Sequence, residues 1–433
     1  MTKHKAKDFS AVELFAGVGG FRIGLQEAGW KIAWSNQYEP STPSRQHASD
    51  CYVKNFGPDG HVCQDISSVL LKTPEIIPAN FELLVGGFPC QDYSVAKPLT
   101  QSSGINGTKG ALWWSIFQIL TLRRPPFVLL ENVDRLLKSP STQRGRDFAI
   151  MLSCFAELGY TVEWRVVNAA DYGFSQRRRR VFIYAQLNQK IDDDWNPQSQ
   201  LSNLGVMARA LPVHPIDQPS FSGHSRPWRQ HPDVEIPGDR YSVSVNFGIG
   251  ARRTPFANGG IMINRQVWTA NLRPKFDGKR MTLGDVVRNT KFVDEKYFLS
   301  PESEAAWAKL KGAKSELRVN KITGFEYLYS EGAIAFPDSL DQPSRTILTG
   351  EIGSSPSRFK HVIRDPLTHR LRRLIPEELE ELNGFDRRWT ETGMPLGKRG
   401  FMMGNALVVG IVEKIAKVIL ADAANSPKLT PSK

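Results

Sequence analysis

The sequence predicts an α/β fold, an open and mostly parallel sheet with helices on both faces, and three observations predict it. Short apolar runs, FSAVELF (9–15), FELLVGGF (81–88) and FVLLENV (127–133), recur along the first half and end in glycine-rich or polar turns. Between them lie longer helical stretches, ALWWSIFQILTL (111–122) and RDFAIMLSCFAELG (146–159). The chain then closes on GNALVVGIVEKIAKVIL, whose Leu407, Val408, Ile411, Val412, Ile415, Val418 and Ile419 share one helical face, with Asn405 as its N-cap. Such a helix needs an apolar surface to cover, most economically the sheet of the first domain. Strands that are apolar throughout are buried on both faces, and alternating helices supply the two covering layers.

Taken in order, each run has its reason. VELFAGVGGFRIGL joins the first strand to a helix through Gly17, Gly19 and Gly20, which lets backbone approach a ligand closely. It is not the dinucleotide fingerprint, because the third glycine of that pattern would fall at Arg22. WSNQYEP follows the second strand and offers Gln37 or Glu39 to a ribose and Tyr38 to a purine face. CQDISSV supplies Asp65 to accept from an exocyclic amine, with Ile66 as apolar neighbour. Each of these is an ordinary strand-end residue taken singly; their order favours an adenosine-containing cofactor. YTVEWRVVN (160–168) is a further strand with polar residues interleaved. Residues 188–362 read differently: Pro, Gly, Ser and Arg are frequent and both periods are weak, as in FSGHSRPWRQHP and GEIGSSPSRFKH. This predicts domains at 1–187 and 188–362, with 363–433 returning to the first.

Composition narrows the partners. A chain of 433 residues, 40% hydrophobic, is long enough for two domains with real cores. A formal charge of +12 favours a polyanion, because each phosphate neutralised by Lys or Arg releases condensed counterions. The basic N-terminus lacks an apolar stretch of signal-peptide length, and no later segment is long and uncharged enough to span a bilayer, so the expectation is a cytoplasmic protein. Four scattered cysteines form neither a disulfide framework nor the paired spacing of a zinc site, so no metal is expected.

Cys90 differs from the other three. It follows Pro89 in GGFPCQ, where an apolar strand gives way to polar residues and ligands bind in such sheets. A lone cysteine is most often a small buried hydrophobe, so its neighbours must decide. Glu131 in FVLLENV directly follows an apolar strand, where a carboxylate is expensive to bury. Sharing a pocket with Cys90, it would have a raised pKa and could donate a proton to a ring nitrogen. In GFSQRRRRVFIYA, extended backbone from Gln176 puts Gln176, Arg178 and Arg180 on one face and Arg177 and Arg179 on the other.

In this order FAGVGG, GGFPCQ, ENV, QRRRR, RRLIPEELEELNGF and GNA make the chain resemble a DNA cytosine C5-methyltransferase of the bacterial restriction–modification type. The resemblance covers both ends and leaves out the middle. It implies a Rossmann-like S-adenosylmethionine-dependent methyltransferase fold with an inserted, loop-rich target-recognition domain. S-adenosylmethionine would be held by Phe15, Gly17, Gly19, Asp65, Ile66, Leu112, Asn405 and Ala406, the ribose contact standing between Gln37 and Glu39. Cys90 thiolate would add to C6 of a flipped-out cytosine, Glu131 would stabilise charge at N3, and Arg178 is similar to the arginine that contacts the base carbonyl and the glutamate. Arg180 and Gln176 would support the pocket, and Pro89 with Cys90 would form a rigid turn presenting the nucleophile.

The resemblance further implies double-stranded DNA as substrate, a monomer, and a cognate restriction endonuclease sharing the target without a stable complex. Gln91 and Ser94 would stand beside the DNA. For target recognition the stretch PSRTILTGEIGSSPSRFKH offers Arg345, Thr346, Thr349, Arg358 and Lys360. A tRNA methyltransferase of the same family would have a short middle domain, and a DNA-binding protein on an inactive body would have a damaged site.

Overall fold

The computed structural model describes residues 9–88, 111–189, 195–215, 232–320 and 324–425. Two compact units divide the chain. The first is drawn from Met1–Tyr172, Arg179–Gly278 and Val409–Lys433, the second from Gly173–Arg178 and Lys279–Val408.

The first unit is built on a ten-stranded sheet. Its strands are β1 (Ser10–Leu14), β2 (Lys31–Asn36), β3 (His61–Val62), β4 (Leu83–Gly87), β5 (Phe127–Val133), β6 (Tyr160–Asn168), β7 (Arg179–Leu187), β8 (Val234–Glu235), β9 (Gly259–Ile263) and β10 (Gln266–Ala270). They lie in the order β3-β2-β1-β4-β5-β7-β6-β9-β10-β8. From β3 to β5 every pairing is parallel, and from β5 through β7, β6, β9 and β10 to β8 every pairing is antiparallel. The helices α1 (Gly20–Glu27), α2 (His47–Phe56), α3 (Ile66–Lys72), α4 (Ala111–Arg123) and α5 (Arg146–Glu157) accompany the strands. Leu83, Leu84, Val85 and Phe127 to Leu130 are wholly or almost wholly buried, which is why these strands read as continuous apolar runs.

The closing helix is Val409–Asn425, so Leu407 and Val408 precede it, and Asn405 ends a separate helix, Leu396–Asn405, rather than capping this one. It packs on α1 and on the short helix Val206–Ala210. A Cβ on Gly24 would lie 2.9 Å from the Val409 carbonyl oxygen, so only glycine lets the two helices approach this closely. Trp30 Nε1 donates to the Ala416 carbonyl at 3.0 Å.

The compact units do not follow the composition boundaries at 188 and 363. β9 hydrogen-bonds to β6 and so extends the main sheet. Arg165, buried in β6, donates to the carbonyls of Leu201, Met207 and Leu211, while Glu163 accepts from the backbone N–H groups of Val206 and Met207. These contacts pair buried polar groups of β6 with the backbone of the 201–211 segment and tie it to the sheet.

The second unit is looser in pattern. It carries helices Leu283–Val287, Pro301–Lys311, Pro376–Leu382 and Leu396–Asn405, a hairpin of Lys314–Val319 with Glu326–Glu331, and a short antiparallel pair, Val362–Arg364 with Leu371–Arg373. Charge as well as hydrocarbon holds it together. Arg372, fully buried, bridges Asp365 at 2.7 Å and Glu378 at 2.8 Å, and Arg399 reaches Glu377 and Glu380 at 2.9 Å. RRLIPEELEELNGF is therefore a structural knot.

Candidate active site

The loop between β1 and α1 carries three left-handed residues in alternation, Phe15 (φ 56°), Gly17 (φ 56°) and Gly19 (φ 93°). That conformation costs a non-glycine residue roughly 1–2 kcal/mol, so Phe15 is held there by its surroundings. Gly17 N–H donates to Gln37 Oε1 at 2.7 Å and Ala16 N–H to the Asn36 carbonyl at 2.9 Å. Asn36 Nδ2 in turn donates to the carbonyls of Val62 and Gln64 at 3.0 and 2.8 Å. Three successive strand ends are thus tied into one rim.

Asp65 caps α3 by accepting from the N–H groups of Ser67 and Ser68 through Oδ1, and Ile66 is buried beside it. Tyr38 is half-buried, and Glu39 accepts from Ala48 N–H at 3.0 Å at the start of α2. Leu112 is half-buried against the core. A Cβ on Gly17 would meet nothing nearer than the Phe15 carbonyl at 4.0 Å, whereas one on Gly19 would strike Phe56 at 2.2 Å. The loop is open on the Gly17 side and closed beneath, and with acceptors at Gln37 and Asp65 these residues fit an adenosine-bearing cofactor. In the second unit Asn405 is exposed at a helix end, and Ala406 N–H donates to the Met402 carbonyl at 2.8 Å.

Beneath the loop lies a network that sequence reasoning missed. Glu13, fully buried in β1, accepts from Tyr52 O–H at 2.8 Å, and Arg22 donates to the same hydroxyl at 3.2 Å. Burial pushes the Glu13 carboxyl up to about 7, opposed by the Tyr52 hydrogen bond and the Arg22 charge. His61 stacks on Tyr52 with both ring nitrogens on Ser35 and Ser49, and burial, with Arg22, lowers it to about 4. A charged residue inside an apolar strand was the available signal, since Glu13 sits in SAVEL.

At the end of β5, Glu131 stands opposite Gly87 in register, and its Oε2 lies 3.2 Å from where a Gly87 Cβ would be. Asn132, also overlooked, donates through Nδ2 to the Phe88 carbonyl at 2.8 Å and accepts from Val133 N–H at 2.8 Å. ENV therefore grips the last described residue before Pro89. Pro89, Cys90, Gln91 and Ser94 lie outside the described residues.

The alternation expected across QRRRR holds: Gln176 and Arg178 are buried, Arg180 is largely so, and Arg177 and Arg179 are exposed. The strand itself begins at Arg179. The roles of the two arginines differ from those expected, because the ion pair to Glu131 is made by Arg180, Nε to Oε1 at 2.9 Å. Arg178 instead donates to the carbonyls of Ile347 and Gly404, and Gln176 to Leu382 and Asn383, all within the second unit. Register explains this: Val133 pairs with Arg180, so that side chain emerges beside the end of β5.

Of the residues expected to read DNA, Arg345 is paired with Asp338 and the carbonyls of Phe359 and Lys360. Arg358 is buried against the carbonyls of Leu310, Gly312 and Gly332 and against Glu331. Lys360 donates to the Gly353 and Ser355 carbonyls, and Thr346 to that of Arg177. These contacts shape the loop; Thr349 alone of the five is exposed.

A glycine loop over the end of β1, polar side chains after β2 and β3, and a paired carboxylate at the end of β5 all lie at the carboxyl ends of parallel strands, where ligands bind in such sheets. The C-5 cytosine-specific DNA methylase model matches residues 9–421, and the chain belongs to that family. It is a DNA cytosine-5-methyltransferase. It is similar to the Type II methyltransferase M.Sau3AI of Staphylococcus aureus, 44% identical over 415 residues and 94% of each chain. M.HpaII of Haemophilus parainfluenzae is 35% identical over 179 residues, 40% of this chain and 45% of that protein. Among solved structures, S. pombe Dnmt2 methyltransferase aligns with a TM-score of 0.56 at 14% identity, covering 96% of this chain and 99% of that one, a likeness of fold. No helix among the described residues is long and apolar enough to cross a membrane.

Proposed function

We propose that this chain is the modification methylase of a type II restriction–modification system, acting as a cytoplasmic monomer on duplex DNA whose target a cognate endonuclease shares. One observation carries the mechanism. Within ENV, Glu131 stands over Gly87 and Asn132 holds the Phe88 carbonyl, so β4–β5 pairing sets a carboxylate beside the end of β4, and this supports a role for Glu131 next to Cys90.

S-adenosylmethionine, when bound, supplies the methyl group that cytosine C5 accepts. Phe15, Gly17 and Gly19 shape its loop, Asp65 and Ile66 meet the adenine with Tyr38 on the ring face, and Leu112 adds an apolar contact within the first unit. Gln37 rather than Glu39 meets the ribose: Gln37 is hydrogen-bonded to the glycine loop, whereas Glu39 is committed to the start of α2. Cys90 thiolate adds to C6 of the extruded base, which makes C5 nucleophilic; once C5 carries the methyl group, loss of the C5 proton and elimination of the Cys90 thiolate break the C6–S bond and release 5-methylcytosine. Glu131 stabilises charge at N3, and Arg180, held to Glu131, contacts the base carbonyl. Gln176 and Arg178 position the strand start from which Arg180 projects, and Gln91 and Ser94 stand beside the DNA.

Target recognition lies within 188–362. Of the five candidates in 345–360, Thr349 is the exposed donor, and Arg345, Thr346, Arg358 and Lys360 hold the loop that presents it. The test is transfer of labelled methyl to mixed-sequence duplex followed by bisulfite mapping, for wild type and Cys90→Ala. Methylation at one short sequence, absent from the variant, is expected. Cofactor binding without transfer to DNA would refute the reading and direct attention to RNA.

A further inference from the structure

The first unit carries a cluster of cations that the reaction does not use. The segment after β5 and the loop 247–254 are fastened to each other although about a hundred residues separate them in sequence. Gln143 and Ile249 form an antiparallel bridge, and Gln143 Nε2 donates to the carbonyls of Val245 and Phe247 at 3.1 and 3.4 Å. Thr254 Oγ1 donates to the Leu137 carbonyl. Gly248 (φ 73°) admits no side chain, since its Cβ would lie 2.7 Å from the Arg144 carbonyl oxygen. Beneath, Phe247 stacks on Phe256, which meets Phe148 edge-on.

This clamp gathers Arg135, Lys138 and Arg144 with Arg252 and Arg253. All but the half-buried Arg144 are exposed. The acids at the two ends of the first segment are already paired, Asp134 with Arg179 and Asp147 with Arg146. Residues 247–254, FGIGARRT, contain no acid. None of the five cations has a carboxylate partner among the described residues. Like charges held together by a specific clamp repel unless a polyanion covers them. A solvated surface would have no need of the bridge, the close glycine and the aromatic base beneath.

We propose that this ledge is a second DNA-contacting surface, holding backbone phosphates of the duplex that flanks the target base. The inference rests on the reading of DNA as substrate, and on the ledge beginning at the strand end that carries Glu131. A phosphate backbone is the partner that needs a row of point charges without base-edge donors. The surface therefore strengthens binding to any duplex and leaves the recognised sequence unchanged.

The test measures the affinity of fluorescent duplexes, with and without the target sequence, across a range of salt. It compares wild type, Arg252→Gln/Arg253→Gln, Arg135→Gln/Lys138→Gln, and Lys417→Gln as a charge-loss control on the closing helix. Each double variant is expected to flatten the dependence of log K on log salt by about two, near 0.9 per lost phosphate contact, equally for both duplexes. Melting temperature, S-adenosylmethionine affinity and the bisulfite pattern stay at wild-type values, and the Lys417 variant keeps the wild-type slope. Unchanged slopes, or a loss matched by Lys417→Gln, overturn the ledge. A wild type that transfers methyl to no duplex fails the methylase reading instead, and the slopes still decide whether the surface binds DNA.

Discussion

Asn132→Ala tests whether ENV positions the nucleophile's segment. The side chain makes two hydrogen bonds at 2.8 Å, to the Phe88 carbonyl and from Val133 N–H, and is almost wholly buried. At about 1 kcal/mol net for each bond the variant loses roughly 2 kcal/mol of stability. If that energy holds Phe88 in place for the following residues, the transferring geometry is populated about thirtyfold less. Single-turnover methyl transfer should then fall by roughly ten- to thirtyfold while S-adenosylmethionine affinity is unchanged. Chemical denaturation gives the stability change and rapid quench gives the rate. A variant destabilised by about 2 kcal/mol that transfers methyl at the wild-type rate when saturated would refute the positioning role and leave Asn132 a structural residue.

Three further outcomes follow from the geometry. Gly17→Ala meets no neighbour, so it costs only the left-handed conformation, roughly 1–2 kcal/mol, and any larger loss in cofactor affinity by calorimetry reports occupancy of that space. Glu13→Gln should flatten the pH dependence of stability: the folded carboxyl, held near 7, binds a proton the unfolded chain has released, so wild-type stability is full below pH 4.5 and declines as pH rises towards 7. At pH 8 the glutamine variant should be more stable by about 3 kcal/mol in urea titrations, and equal slopes for both proteins would refute it. Arg372→Met leaves the carboxylates of Asp365 and Glu378 without their cation and should destabilise the chain by about 3–5 kcal/mol by denaturation, an undiminished midpoint being the contrary result.

The parallel half of the sheet was legible because each strand is buried on both faces and its apolar run is unbroken, as in LLVGG and FVLLENV. The glycine loop and Glu131 stand out in the sequence because each sits where such a run stops, whereas Asp65 follows a strand of only two residues, His61–Val62. β8 to β10 were not legible. β8 is two residues long and pairs with β10, and β9 contains two glycines and pairs with β6 in a register set across about a hundred residues. Composition then placed the domain boundary where strand character fades, whereas the chain remains in the sheet until long-range polar contacts of Arg165 and Glu163 are satisfied.

The arginines show a second limit. Period two correctly separated Gln176, Arg178 and Arg180 from Arg177 and Arg179, but residues on one face of an extended segment can still serve different partners. Cross-strand register decides between them: with Val133 opposite Arg180 the guanidinium nearest Glu131 is that of Arg180, and Arg178 lies before the strand begins. Basic positions in the middle of the chain likewise have partners that spacing does not reveal. Arg345 and Arg358 look available in sequence, yet their guanidinium groups are spent on Asp338, Glu331 and backbone carbonyls. Arg252 and Arg253, on a glycine-flanked loop without an acid, have no carboxylate partner among the described residues. A basic residue therefore indicates a nucleic-acid contact only when no carboxylate or carbonyl cluster already surrounds it, and that depends on tertiary contacts that spacing does not encode.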